Sequence, residues 1–235
     1  MPFSAALMVI DRIGYEPAWT LQRRFVDERR EEEREDTLLL VEHDPVFTIG
    51  RSGRASHWGD NETRLETRGY PVYHVERGGS ITYHGPGQIV GYPILLLARF
   101  CSGPKAYIRL LESVVIRTLE EWGIPGERRE KLPGVWIRGE RASKIAAMGV
   151  RIHRGVTMHG FALNVSVDLG PFQEIVPCGI AGVHVTSMAE VLGCHIDVPA
   201  VRGRIAAHFA ELFGLEWTAG MAGSRPVPDR HSTVG

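Results

Sequence analysis

The sequence predicts a single α+β domain in which mixed sheets are packed by helices. Apolar runs of strand length are interspersed with stretches of helical periodicity, without the strict strand–helix alternation that builds a parallel doubly wound sheet. No internal repeat and no linker-like stretch divides the chain before residue 218. At 235 residues, 43% hydrophobic and 23% charged, the chain can bury a sizeable core without disulfide or metal staples.

The elements follow in order. Residues 7–13 (LMVIDRI) read as a first strand. Pro17 opens a helix carrying Trp19, Leu21 and Phe25, since proline is tolerated in a first turn. Residues 27–36 (DERREEERED) contain no apolar side chain, and mixed signs at i,i+4 spacing predict a solvated helix end. TLLLVE at 37–42 is a continuous apolar run suited to a buried strand, and FTIG at 47–50 a shorter one before the glycine-punctuated loop GRSGR. Stretches 71–76, 81–84 and 88–96 are rich in Val, Ile and Tyr and read as strands separated by glycines. Pro104 starts an amphipathic helix through Tyr107, Leu111, Val115, Leu119 and Trp122, with Gly123 as its stop. Residues 134–138, 144–153 and 157–165 read as strands, the last two joined in a hairpin by Arg154-Gly155. A last helix from Pro199 carries Val201, Ile205, Phe209 and Phe213 to Gly214. After Trp217 the composition turns to Gly, Ser, Pro and Arg, which predicts a domain over 1–218 and a disordered tail over 219–235.

Composition excludes several classes. Twenty-seven Lys and Arg against 28 Asp and Glu leave a formal charge of −1, without the basic footprint of a nucleic-acid partner. Only Lys105, Lys131 and Lys144 are lysines. The cysteines are Cys101, Cys178 and Cys194, odd in number and without a CxxC pair. That argues against a disulfide framework and a Cys-rich zinc site, and predicts a reducing compartment. The apolar run at 2–10 lacks a basic n-region and a cleavage site, and the aliphatic run at 94–98 is far short of the roughly 20 residues that span a bilayer. The expectation is a cytoplasmic protein with no membrane and no nucleic-acid partner.

Three stretches gather glycine, small polar residues and a potential catalyst. In RGGSITYHGPGQ, starting at Arg77, glycines permit close approach of backbone to a ligand or to another strand, and Tyr83 and His84 offer polar tips. The plainer reading is two tight turns around a strand, with Arg77 paired to Glu76. In SKIAAMGV, Lys144 opens an apolar strand; its side chain either snorkels to solvent or holds an ammonium at a pocket rim. In IVPCGI, Cys178 sits between Pro177 and Gly179, in a turn that presents a nucleophile better than it buries a hydrophobe. Thiolate chemistry needs a lowered thiol pKa, for which Lys144, His84, His159 and His184 are the candidate cations. Cys101 and Cys194 lack comparable settings and read as structural.

Together, RGGSITYHGPGQ at Arg77, KIAAMGVRIHRGVTMHGFALNV from Lys144 and PCGI at Pro177 resemble the lipoyl(octanoyl) transferase family, with EHDPVFTIGR from Glu42 in the same pattern. The resemblance covers most of residues 5–215 and implies a biotin/lipoate protein ligase-like fold. It implies that Cys178 accepts the acyl group and that Lys144 lowers its pKa. It further implies three substrate-binding stretches: Arg77, Gly78, Gly79, Ser80, Ile81, Thr82, Tyr83 and His84; then Ala147, Met148 and Gly149; then Gly160, Phe161 and Ala162. The second stretch often begins with Ser in this family, and Ala147 removes that hydroxyl. The implied donor is octanoyl-acyl carrier protein. The implied acceptors are lysines of lipoyl domains in 2-oxoacid dehydrogenase complexes and in the glycine cleavage H protein. Exchange between thioesters is nearly isoenergetic and thioester to amide is downhill, so the reaction needs no cofactor, nucleotide or metal.

Two competing readings remain. An ATP-dependent lipoate or biotin protein ligase shares the fold, and GRSGR at Gly50 is faintly similar to the glycine-arginine loop of those enzymes, but PCGI would then be idle. A carrier-binding or metal-binding module using His74, His84, His184 and Cys178 lacks paired-ligand spacing.

Overall fold

The computed structural model describes residues 2–59, 62–139, 142–177 and 182–218. The chain opens with β1 (Phe3–Ile13), α1 (Tyr15–Arg30) and β2 (Asp36–His43). Next come β3 (Val46–Ile49), the short helix α2 (Glu62–Thr67), β4 (Val72–His74) and β5 (Ile81–His84). β6 (Gln88–Ile94), α3 (Pro104–Glu120), β7 (Gly126–Arg129) and β8 (Leu132–Ile137) lead into the long hairpin of β9 (Ser143–His153) and β10 (Val156–Asn164). β11 (His184–Val185), α4 (Met188–Leu192), α5 (Val198–Phe213) and β12 (Leu215–Thr218) follow.

Among the described residues the main sheet has nine strands in the order β12-β1-β2-β6-β10-β9-β8-β7, with β11 beside β9, while β4-β3-β5 form a second, three-stranded sheet. β12, β1 and β2 run parallel, and the neighbours from β2 to β7 are antiparallel. This is the mixed α+β architecture the sequence predicts.

Both faces of the main sheet are covered. α3 and α5 bury Tyr107, Leu111, Val115 and Phe209 against Leu38, Leu40, Ile89, Ile145, Ala146, Phe161 and Leu163. On the opposite face α1 places Ala18, Phe25 and Val26 over Leu39, Val41, Val90, Tyr92 and Met158. Leu38 and Leu40 thus face one layer and Leu39 and Val41 the other, so β2 reads as an unbroken apolar run rather than an alternating one. Helix ends follow their signals. Asp197 accepts from Ala200 N at 3.1 Å to cap α5, Gly214 ends it in a left-handed conformation, and Pro104 sits in the first turn of α3. The hairpin turn has Arg154 at φ 49° and Gly155 at φ 87°, as a two-residue primed turn requires.

The charge run departs from its expected solvation at two positions. Arg29 and Asp36 are buried, and Arg29 Nε donates to Asp36 Oδ1 at 2.8 Å. Asp36 also accepts from Leu96 N and from Arg99, each at 2.8 Å, so one carboxylate ties α1 to the start of β2 and the end of β6. The elements without a sequence signal, α2, α4, β7, β11 and β12, are two to six residues long, too short to show a period. The expected disorder of 219–235 lies outside the described residues. Among the described residues, no helix is long and apolar enough to cross a membrane.

Removing a buried partner leaves two guanidinium groups and an amide uncompensated. Asp36→Ala is therefore expected to lower the unfolding free energy by about 3–5 kcal/mol in urea titration. A loss below about 1 kcal/mol, typical of an exposed pair, would contradict this account.

Candidate active site

The second sheet lies against the α1 face of the main sheet and leaves a cleft between them. Its walls bring the expected stretches together. Arg77, Gly79, Ser80, Ile81, Thr82 and His84 face Ala147, Met148 and Gly149 of β9 and Gly160, Phe161 and Ala162 of β10. The last two groups meet because the hairpin register pairs Ala147 with Ala162 and Gly149 with Gly160. Gly160 has to be glycine: a Cβ there would lie 2.2 Å from Gly91 O of the adjoining strand. Tyr15, Val90, Tyr92 and His159 also line the cleft. The sequence reading did not assign these four to substrate binding: they lie outside the three substrate-binding stretches, and His159 entered only as a candidate cation.

Two expected residues do not face the cleft. Tyr83 is turned to the far side of β5, where it packs on Phe47, Tyr70 and Phe172, and burial pushes its pKa up to about 12. Gly78 instead donates its N–H to Val150 O at 3.0 Å, fastening the first stretch to β9.

Arg77 is not the partner of Glu76 that the plainer reading expects. Its guanidinium is buried and donates to Thr48 O at 2.6 Å, to Thr48 Oγ1 at 2.8 Å and to Gly78 O at 3.1 Å, while Glu76 pairs with Arg151. A chain of neutral hydrogen bonds continues from there. Thr48 Oγ1 lies 3.3 Å from His84 Nε2, and His84 Nδ1 donates to Gln88 Oε1 at 2.7 Å. Gln88 Nε2 donates to Asn164 Oδ1, and Asn164 Nδ2 to Thr186 O. Nearby, His43 Nδ1 donates to Ile13 O and Nε2 accepts from the Tyr92 hydroxyl.

Burial pushes the pKa of His43 down to about 4, that of His159 down to about 3, and that of His84 well below its usual value. His84 and His159 are therefore neutral and drop out as candidate cations. His184 lies on exposed β11, with Nδ1 3.0 Å from Ser143 Oγ. Ser80, in the first stretch, donates to His57 Nδ1 at 2.6 Å; Arg54 N–H donates to the same nitrogen at 3.3 Å.

Lys144 does not snorkel; it is 5% exposed. The register explains why. Gly134 pairs with Ala147 and Trp136 with Lys144, so two residues of β8 oppose three of β9, and a β-bulge falls at Ile145. Strict alternation would put Lys144 on the face of Ala146 and Met148, under α3 and α5. The extra residue turns it to the face of Ala147, the cleft face. Its Nζ lies 5.1 Å from the Trp136 ring centroid, and its surroundings include Thr82, Gln88, Ala147, Ala162, Asn164 and Pro177. Gly134 leaves it room: at φ 130°, a Cβ there would come 2.5 Å from Lys144 Cε. Glu112 of α3 in turn accepts from Gly134 N at 2.9 Å.

Cys178 lies outside the described residues, and the chain on either side of 178–181 borders Lys144. Pro177 lines the lysine's pocket and Val176 N donates to His57 O at 2.7 Å. On the other side, β11 pairs His184 with Ser143 and Val185 with Lys144, beyond the end of β10. Cys101 is half-buried against the core and Cys194 is exposed. Among the described residues no cluster of three His, Cys, Asp or Glu side chains could hold a metal.

The loop 50–54 has its backbone amides engaged within the protein. Gly50, Arg51 and Ser52 donate to Ser80 O, Arg77 O and Gly79 O, each at 3.0 Å, Gly53 donates to Gly50 O, and Arg54 to His57. A phosphate cradle requires such amides to point at the ligand; here they form a ladder supporting the first stretch.

Comparison with known proteins identifies the family. The model of the lipoyl protein ligase A/B catalytic domain matches residues 14–210, and the chain belongs to that family. Within it the chain is an acyltransferase, similar to proteins named octanoyltransferase. The one from Alkaliphilus metalliredigens is 44% identical over 208 residues, covering 88% of this chain and 94% of that one. The one from Flavobacterium johnsoniae is 51% identical over 182 residues, 76% and 78% of the two chains. The fold is shared with the bipartite lipoate protein ligase of Thermoplasma acidophilum, with a TM-score of 0.70, 15% identity, and 92% and 86% of the two chains covered.

The neutral histidines give stability a pH dependence. The unfolded chain protonates its histidines near 6.5, whereas folded His43 and His159 resist protonation down to about 4 and about 3. Stability is therefore full above pH 6.5 and falls below it, by up to about 1.4 kcal/mol per pH unit for each histidine. The urea midpoint is expected to be clearly lower at pH 5 than at pH 7; equal midpoints would mean these rings are charged in the fold.

Proposed function

We propose that residues 1–218 transfer an octanoyl group from octanoyl-acyl carrier protein to a lysine of a lipoyl domain, through a thioester on Cys178. The observation that carries this reading is the convergence of the motif stretches on one cleft that opens, past Thr82, Ala147 and Ala162, into the pocket of the buried Lys144. The Cys178 thiolate attacks the donor's thioester carbonyl. The tetrahedral intermediate expels the phosphopantetheine thiolate, which takes up a proton, and leaves octanoyl-S-Cys178. The acceptor's neutral amine then attacks that carbonyl, gives up a proton and releases the Cys178 thiolate, forming the amide.

Lys144 favours the thiolate as a nearby cation and, in its neutral form, takes the proton of the incoming amine. The cleft walls of Val90, Tyr92, Ala147 and Ala162 suit an aliphatic chain, each buried methylene contributing about 0.8 kcal/mol. The engaged amides of the 50–54 loop favour direct transfer over an ATP-dependent ligase reaction. The acceptors we assign are lipoyl domains of 2-oxoacid dehydrogenase complexes and the glycine cleavage H protein, and the compartment is the cytoplasm.

Incubation with octanoyl-acyl carrier protein and no nucleotide is expected to add one octanoyl mass, labile to hydroxylamine and absent from Cys178→Ala, by intact mass spectrometry. An adduct that persists in Cys178→Ala, or forms only with ATP, contradicts the proposal. Lys144→Ala is expected to slow alkylation of Cys178 at neutral pH by about tenfold per unit of thiol pKa rise. An alkylation profile unchanged across pH would remove Lys144 from this role.

A further inference from the structure

We infer that His159 sets the preferred acyl-chain length by presenting a polar end wall to the cleft. The inference rests on the acyl-transfer reading and adds to it a specificity-determining residue. The cleft has a direction. Lys144 and Asn164 stand at one end, Thr82, Ala147 and Ala162 are shared between the two pockets, and Gly160 and His159 follow beyond. From Ala162 to His159 is three residues of strand, about 10 Å. An extended eight-carbon chain spans about 9 Å at ordinary bond lengths. A chain whose carbonyl lies between Lys144 and Ala162 therefore runs out at His159.

Two features set this histidine apart. Its backbone is left-handed, with φ 55° inside a strand, a conformation uncommon for a residue other than glycine. Its N–H is taken not by a neighbouring strand but by Gln22 Oε1 of α1, at 2.9 Å. The residue is 1% exposed and lines the cleft, yet neither ring nitrogen has a hydrogen-bond partner among the described residues. His43 and His84, buried close by, have both nitrogens engaged. A neutral imidazole so placed holds one donor and one acceptor toward the end of the acyl site.

The magnitudes then decide the chain length. A further methylene in an apolar site gains about fourfold in affinity. Pressed against the ring, it would shut out any water or ligand group that could pair with that donor and acceptor, a penalty of about 5- to 100-fold. The penalty exceeds the fourfold gain of one extra methylene throughout that range, and the roughly 16-fold gain of two over most of it, so a chain that reaches His159 is favoured over a longer one.

The test is competition between octanoyl- and decanoyl-acyl carrier protein, read as the ratio of the two adducts in one intact mass spectrum. His159→Leu removes the polar wall and is expected to raise the decanoyl-to-octanoyl ratio by about tenfold, close to the value of two methylenes. His159→Gly, which suits the left-handed backbone, is expected to do the same. His159→Asn, polar and tolerant of that backbone, should stay within about threefold of the wild type. Because both adducts form in one sample, a lower folded fraction cancels from the ratio. Normal octanoyl adducts with an unchanged ratio in both His159→Leu and His159→Gly would overturn the inference alone. So would a shift in His159→Asn as large as in His159→Leu, since space rather than polarity would then set the length. A wild-type protein that forms no adduct at all would overturn the acyl-transfer reading and this inference with it.

Discussion

β9 has to serve two layers that make opposite demands, and the bulge at Ile145 lets it do so. The layer beneath α3 and α5 needs methyl groups, and Ile145, Ala146 and Met148 supply them. The cleft on the other face receives a buried ammonium, and Lys144 supplies it from the same strand. With a period of two, Lys144 would fall on the core side among those side chains, where an ammonium costs several kcal/mol unless paired. One extra residue reverses the parity and places the lysine over Trp136, in space left by Gly134. Glu112 reaches from α3 to the Gly134 amide, so the helix that packs the core also holds the strand that frames the lysine.

Apart from the buried Arg77, the rest of the site is organised with neutral groups. His43 and His84 are kept neutral by burial, and each has both ring nitrogens satisfied, which locks their tautomers and orientations. The chain from Thr48 through His84, Gln88 and Asn164 to Thr186 runs from the second sheet to the strand beside Lys144, so the two walls are held at a fixed separation. A satisfied polar network of this kind rigidifies a site. In the reaction we propose, an apolar acyl chain and a reacting thioester would both gain from that arrangement, the first by desolvation and the second by a preorganised environment.

Much of the fold was legible because it rests on local signals. The run TLLLVE, the prolines and glycines that bound α3 and α5, and the Arg154-Gly155 turn each have a short-range physical cause. The three motif stretches were legible as candidates for the same reason: glycines cluster where backbones pass close together. The fate of Lys144 was not legible. It depends on a register between β8 and β9 that no residue of SKIAAMGV encodes alone, and an alternating reading gives the opposite face. Tyr83 shows the converse limit, since its motif stretch lines the cleft while its side chain serves the aromatic cluster behind β5. The Arg29–Asp36 pair was hidden in a run of uniform polarity, because burial there is decided by Leu96 and Arg99, some 60 residues away.

The loop 50–54 shows how one fold can separate two chemistries. An enzyme that activates a free acid with a nucleotide must leave backbone amides open toward phosphate. An enzyme that receives its acyl group already activated has no such need. Here those amides bond to Arg77, Gly79 and Ser80, so the loop stiffens the wall of the cleft instead. His57 extends the same device: its ring accepts from Ser80 and its carbonyl from Val176, joining the first stretch to the chain that leads into Pro177. A glycine-arginine loop on this fold is therefore ambiguous when read as sequence. Whether its amides are engaged or open is the physical difference, and that follows from the backbone it is laid against.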